Sequence, residues 1–91
     1  MDQNNQPNTR LFVGSLAWAT NDESLRSHFA TVGTVVDAKV MMDRETGRSR
    51  GFGFIEYETV ELATEAIQQL NGSMLDGREI KVNFAQQRVQ Q

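Results

Sequence analysis

Eight consecutive residues, Arg50-Gly51-Phe52-Gly53-Phe54-Ile55-Glu56-Tyr57, combine rings that can stack on flat partners with a cation that can hold an anion. In a strand successive side chains point to opposite faces, so Arg50, Phe52, Phe54 and Glu56 share one face, and Gly51, Gly53, Ile55 and Tyr57 the other. Ile55 and Tyr57 already supply a buried face. Two phenylalanines beside a guanidinium therefore need another use, and the set suits stacking of unpaired nucleotide bases with a cation on their phosphates. The glycines do not form a dinucleotide cradle, which needs G-x-G-x-x-G opening a helix; here they lie inside a strand and lack a third at that spacing. His28, the one histidine, reads as a helix-surface residue with no nucleophile or metal partner in the readable motifs. With no cysteine there is no thiolate, disulfide or iron-sulfur chemistry. The expectation is binding without catalysis, and neither cofactor nor metal is called for.

The 91 residues fit one small domain. Nine basic against twelve acidic residues leave a formal charge of −3, whereas a nucleic-acid binder is expected to be basic. Distribution tempers the sum: Lys39, Arg44, Arg48 and Arg50 cluster beside the aromatic run against Asp43 and Glu45, while Asp22, Glu23, Glu61 and Glu65 fall in expected helices. General attraction to phosphate should be weak, so stacking must carry more of the affinity. Positions 1–9 are polar, without the basic flank and apolar stretch of a signal peptide, and no apolar run approaches membrane-spanning length. An intracellular protein, in nucleus, cytoplasm or both, is expected, with no membrane partner.

The elements that must position these side chains follow from periodicity. Positions 1–9 have little to bury and read as a disordered lead-in, with order beginning near Arg10. In Arg10 to Ser15, Leu11 and Val13 alternate against Arg10, Phe12 and Gly14, so a second strand carries an aromatic on its polar side. Thr20-Asn21-Asp22-Glu23 has capping-box spacing, and Leu25, Phe29 and Val32 predict a helix over about 21–32, stopped by Gly33. Val35 to Met42 reads as a strand with Ala38, Val40 and Met42 inward and Lys39 and Met41 outward. Asp43 to Ser49 is a charged hairpin connection into the Arg50 strand. Thr59 caps a second helix, marked by Ala63, Ala66, Ile67 and Leu70 and ended by Asn71-Gly72. After a turn at Asp76-Gly77, residues 79–84 alternate again, with Ile80 and Val82 inward and Lys81 and Asn83 outward. Positions 86–91 read as a flexible C-terminal segment, leaving 10–85 as the domain. The order β-α-β-β-α-β gives an α+β, ferredoxin-like fold: a four-stranded antiparallel sheet with two helices on one face and the other face open. A ferredoxin-like hydrolase would need an arginine in the loop after the first strand, and Gly14 to Thr20 has none.

The octet resembles the first ribonucleoprotein motif of the RNA recognition motif family, K/R-G-F/Y-G/A-F-V-x-F/Y, departing only at Ile55. Leu11-Phe12-Val13-Gly14-Ser15-Leu16 is similar to the second, with Ser15 where asparagine is common. Within the family, Leu16 to Thr20, Asp43 to Gly53 and Leu75 to Arg78 look most like the glycine-rich RNA-binding proteins with one such domain, which carry a glycine-rich tail that residues up to Gln91 do not include. The resemblance implies strand order 4-1-3-2, which sets Phe12 beside the Phe52 and Phe54 strand. It further implies that Phe12 and Phe52 each stack a base, that Phe54 packs against the sugars between them, and that Arg50 holds a phosphate. Trp18 either takes a flanking base or packs its loop, and Met41 either caps the platform or fills an edge. Lys39, Lys81, Asn83 and Arg88 are the remaining polar candidates. The implied function is binding of single-stranded RNA, about two to four nucleotides, by a monomer acting in RNA processing, stability or translation control, with single-stranded DNA as an alternative ligand. The competing function is a protein-interaction module in which the acidic helix face meets a basic protein partner.

Overall fold

Alternating apolar residues commit each strand to one buried face, and the two helices close over that face. The computed structural model describes residues 7–85. In chain order these form β1 (Arg10–Gly14), α1 (Asp22–Ala30), β2 (Val35–Met42), β3 (Ser49–Tyr57), α2 (Val60–Leu70), β4 (Met74–Leu75), β5 (Arg78–Glu79) and β6 (Lys81–Phe84). The main sheet has the order β2-β3-β1-β6, the expected 4-1-3-2 once the short β4-β5 hairpin is set apart. The pairings within it are antiparallel. Leu11, Val13, Ile55, Tyr57 and Val82 of the sheet, with Ile80 just before β6, form a core completed by Leu25 and Phe29 of α1 and Ala63, Ala66 and Leu70 of α2. The small side chains of α2 let it lie close on the sheet. A Cβ at Gly53 would run into the Lys39 carbonyl oxygen, so β2 and β3 approach each other only because that position has none.

Local chemistry departs from the sequence reading at several points. Asn21, not Thr20, caps α1: its side chain accepts from Ser24 N, and Ser24 returns the bond to the Asn21 backbone. Thr20 is buried and its hydroxyl donates instead to Asp76 Oδ2 at 2.8 Å, fastening the β1-α1 loop to the turn of the β4-β5 hairpin. That hairpin escapes period-2 analysis because each arm is two residues long. Its turn has Asp76 and Gly77 at φ 53° and 83°, the pair of positive values a type I′ turn requires. Consequently β6 starts at Lys81 rather than at position 79. α1 ends at Ala30, with Thr31 as C-cap, leaving Val32 half-buried beyond it. Met42, expected in the core, is 52% exposed. The β2-β3 register passes from Val40↔Gly53 to Met42↔Ser49, so β3 bulges by two extra residues, and Gly51 at φ 86° takes the bend.

The lead-in is tied down before Arg10. Thr9 O accepts from Tyr57 N, and Asn8 bridges the two ends of the domain, accepting from Arg10 N at 2.7 Å and donating to Ala85 O at 3.0 Å. Order thus reaches back at least to Asn8, while the expectations for positions 1–6 and 86–91, Arg88 included, fall outside the described residues.

His28 sits where α1 meets the hairpin. Its Nε2 is 2.9 Å from Ser73 Oγ, and Ser73 spends its one hydroxyl hydrogen on Leu70 O, which assigns the proton to His28 Nε2. Burial holds this imidazole below its ordinary value of 6.5, with the Asp76 carboxylate opposing. The unfolded chain therefore takes up a proton more readily than the folded one, and stability present above pH 6.5 is lost as pH falls below it. Urea midpoints should drop between about pH 7.5 and pH 5, and His28→Gln should remove part of the drop; equal slopes in the two proteins would contradict this assignment.

Candidate nucleic-acid interface

The face of the sheet away from the helices is built from transverse rows. Lys39 of β2, Phe54 of β3, Phe12 of β1 and Asn83 of β6 stand in register across all four strands. The next row holds Phe52, Gly14 and Lys81. Three rings meet where these rows adjoin. Phe12 lies 5.5 Å from Phe52, tilted by 31°, and 5.9 Å from Phe54, edge-on at 68°, while Phe52 and Phe54 are perpendicular at 6.1 Å. Such tilted and edge contacts hold the rings in fixed orientations without hiding them. Phe12 is 37% exposed, and Phe52 and Phe54 are half-buried. Gly14 is part of this packing, since a Cβ there would press on the Phe12 ring at 3.1 Å.

Cations border the rings. The Arg50 guanidinium carbon stands 5.6 Å from the centre of Phe52, consistent with a cation–π contact, and its charge remains exposed. Lys39, Lys81 and Asn83 are exposed at the ends of their rows. Met41 is half-buried beside the β3 bulge, at the rim of the platform. Trp18 lies apart from the strands, in the β1-α1 loop, and is 72% exposed. That loop is anchored next to the platform through Leu16 N, which donates to Gly51 O at 2.9 Å.

One cation on this face is absent from the sequence-derived set. Arg10 places its guanidinium 4.8 Å from the centre of Phe54 and 3.9 Å from Glu56 Oε1, so the second strand contributes a charge as well as a ring. Strand alternation had put Arg10 beside Phe12, and this was the available signal. Its closeness to Phe54, 44 positions later, depends on the β1-β3 register. Among the described residues no cluster of three or more histidine, aspartate or glutamate side chains could hold a metal ion, and no helix is long and apolar enough to cross a membrane.

The arrangement offers stacking surfaces, flanking cations and hydrogen-bonding side chains, the equipment for holding an unpaired strand by its bases. The family model for the RNA recognition motif matches residues 11–81. Glycine-rich RNA-binding protein 2 of Sorghum bicolor is 57% identical over 79 residues, spanning 87% of this chain and 47% of that protein. The mitochondrial glycine-rich RNA-binding protein 2 of Arabidopsis thaliana is 56% identical over 80 residues, spanning 88% and 51%. The chain thus spans about half the length of these curated relatives. Among solved structures, that of the Rna15 RRM with bound RNA (GU) superposes with a TM-score of 0.77 at 33% identity, covering 87% of this chain and 84% of that one.

Proposed function

Because the chain belongs to the RNA recognition motif family, we propose that its open sheet face binds single-stranded RNA by stacking, without chemistry. The observation that carries this is the set of three rings, Phe12, Phe52 and Phe54, within 5.5–6.1 Å of one another on a face no helix covers. Phe12 and Phe52 each take a base, Phe54 packs against the sugars between, and Arg50 holds a phosphate. Lys39, Lys81, Asn83 and Met41 border the bound strand, and Trp18, exposed in its loop, reaches a flanking base. Stacking contributes about 1–3 kcal/mol per base, so two or three rings support roughly micromolar binding. The domain acts as a monomer on RNA in processing, stability or translation control. Its setting is intracellular; one relative is named as mitochondrial, and fractionation of the tagged chain distinguishes nucleus, cytoplasm and mitochondrion.

Fluorescence titration of short RNA homopolymers and matched DNA, against wild type and the combined Phe12→Ala, Phe52→Ala, Phe54→Ala variant, tests the proposal. The variant should lose nearly all binding; equal affinity in the two proteins would sink it. The DNA arm shows whether the 2′-hydroxyl matters. A basic protein partner held by the exposed Asp22, Glu23, Glu61 and Glu65 would instead bind both proteins alike.

A further inference from the structure

One carboxylate on the open face has no part in the stacking scheme. Glu56 follows Phe54 on the same side of β3, in register with Arg10 of β1 and Asp37 of β2. It is held from both oxygens. Thr9 Oγ1 donates to Oε2 at 2.9 Å, and Arg10 Nη1 stands 3.9 Å from Oε1. Thr9 is itself fixed through the bond from Tyr57 N to its carbonyl oxygen, and Arg10 through the Phe54 ring. The carboxylate is therefore oriented before any ligand arrives. A carboxylate accepts at about four lone-pair positions, so both oxygens keep capacity after these contacts. The side chain is 35% exposed and open to a ligand.

The charge of Glu56 decides what can meet it. Arg10 offsets one of the two carboxylates here, Glu56 and the exposed Asp37 across the β2-β3 pair, so this end of the platform keeps a net negative charge and attracts phosphate poorly. What approaches must bring uncharged N–H groups, and base edges do so. Glu56 is a diagonal neighbour of Phe12 across β1-β3, a separation of about 7–8 Å that a base stacked on Phe12 spans with its edge. Uracil offers one ring N–H, and adenine and cytosine one amino group each. Guanine alone presents two adjacent donors, N1–H and N2–H, spaced for the two oxygens of a carboxylate.

We propose that Glu56 is a specificity-determining residue that accepts from N1–H and N2–H of a guanine stacked on Phe12, with Thr9 and Arg10 as its positioning residues. The assignment rests on the RNA-binding proposal above. Its competitor is a purely local role in which Glu56 only steadies Arg10 over Phe54.

The probes are uridine pentanucleotides carrying one guanosine at each position in turn, and the same RNAs with inosine, which lacks the N2 amino group. Each is titrated against the full chain as wild type, Glu56→Gln and Thr9→Val. At one position wild type should prefer guanosine over inosine by about tenfold, the scale of a good bidentate base contact. The ratio should fall below about twofold in Glu56→Gln and to an intermediate value in Thr9→Val. Loss of a negative charge will favour every RNA alike in Glu56→Gln, on top of any lost guanine contact, but a ratio taken within one protein is blind to that and to the folded fraction. A ratio unchanged by Glu56→Gln, or near one at every position in wild type, overturns the assignment while leaving RNA binding intact. Failure of wild type to bind any pentanucleotide overturns both.

Discussion

Alanine at both Phe12 and Phe52 should lower the affinity for single-stranded RNA by about thirtyfold to twenty-thousandfold, while the protein stays folded. Two lost stacks at about 1–3 kcal/mol each give that range. The rings lie on the uncovered face and contribute little to the core, and the edge and tilted contacts they give up are worth roughly 0.5–1.5 kcal/mol each. Arg50→Ala gives the contrast. Removing one phosphate contact should flatten the slope of log affinity against log salt by about 0.7 and cost only a few-fold at moderate salt. The chain carries a net charge of −3, so its general pull on phosphate should be small and the rings should dominate. Anisotropy titrations at three salt concentrations decide the matter; a loss below threefold for the double variant, or a larger loss for Arg50→Ala, would reverse this ranking.

The same residue type on the other face has the opposite effect. Phe29 is fully buried between α1 and the sheet, and its carbonyl oxygen accepts from the Tyr57 hydroxyl at 2.7 Å. Phe29→Ala leaves a cavity in the core between α1 and the sheet, costing about 3–5 kcal/mol. In a domain of this size about 1 kcal/mol shifts Tm by 4–8 °C, so the melting temperature should fall by roughly 12–40 °C. Thermal melts followed by circular dichroism measure this, and a fall under about 5 °C would show that the site collapses far more readily than its burial suggests. At low temperature the folded fraction should bind RNA as wild type does, because no platform side chain has been touched.

Most of the architecture was legible because one rule holds over β1, the middle of β2, most of β3 and β6: apolar residues take alternate positions, and the sets agree on a single buried side. That consistency located Phe12, Phe52 and Phe54 on the uncovered face without any tertiary information. Three kinds of feature were not legible. Thr20 and Asn21 are both able to cap a helix, and what assigns the role to Asn21 is the capture of the Thr20 hydroxyl by Asp76, 56 positions away. Met42 obeys the alternation of β2, but the bulge at Gly51 shifts the register before position 42 is reached. The β4-β5 arms are too short to display any period. The site shows the same division. Arg10 and Glu56 were on the correct face from the start, yet their relation to each other and to Phe54 is a matter of cross-strand register, which no local pattern encodes.

The knot at Asn8 has a mechanical meaning. Through it the start of β1 and the end of β6 leave the sheet side by side, Ala85 N donating to Arg10 O and Asn8 spanning both. β6 is an edge strand paired only with β1 in the main sheet. A pull that separates the two ends therefore does not shear this pair along its length. It opens the hydrogen bonds one at a time from the Asn8 end, as a zip opens, and Asn83 and Lys81 peel away before any of the three rings is disturbed. A pull on the C-terminal end of β6 alone acts in the same order, freeing this edge strand while the helices still cover the core.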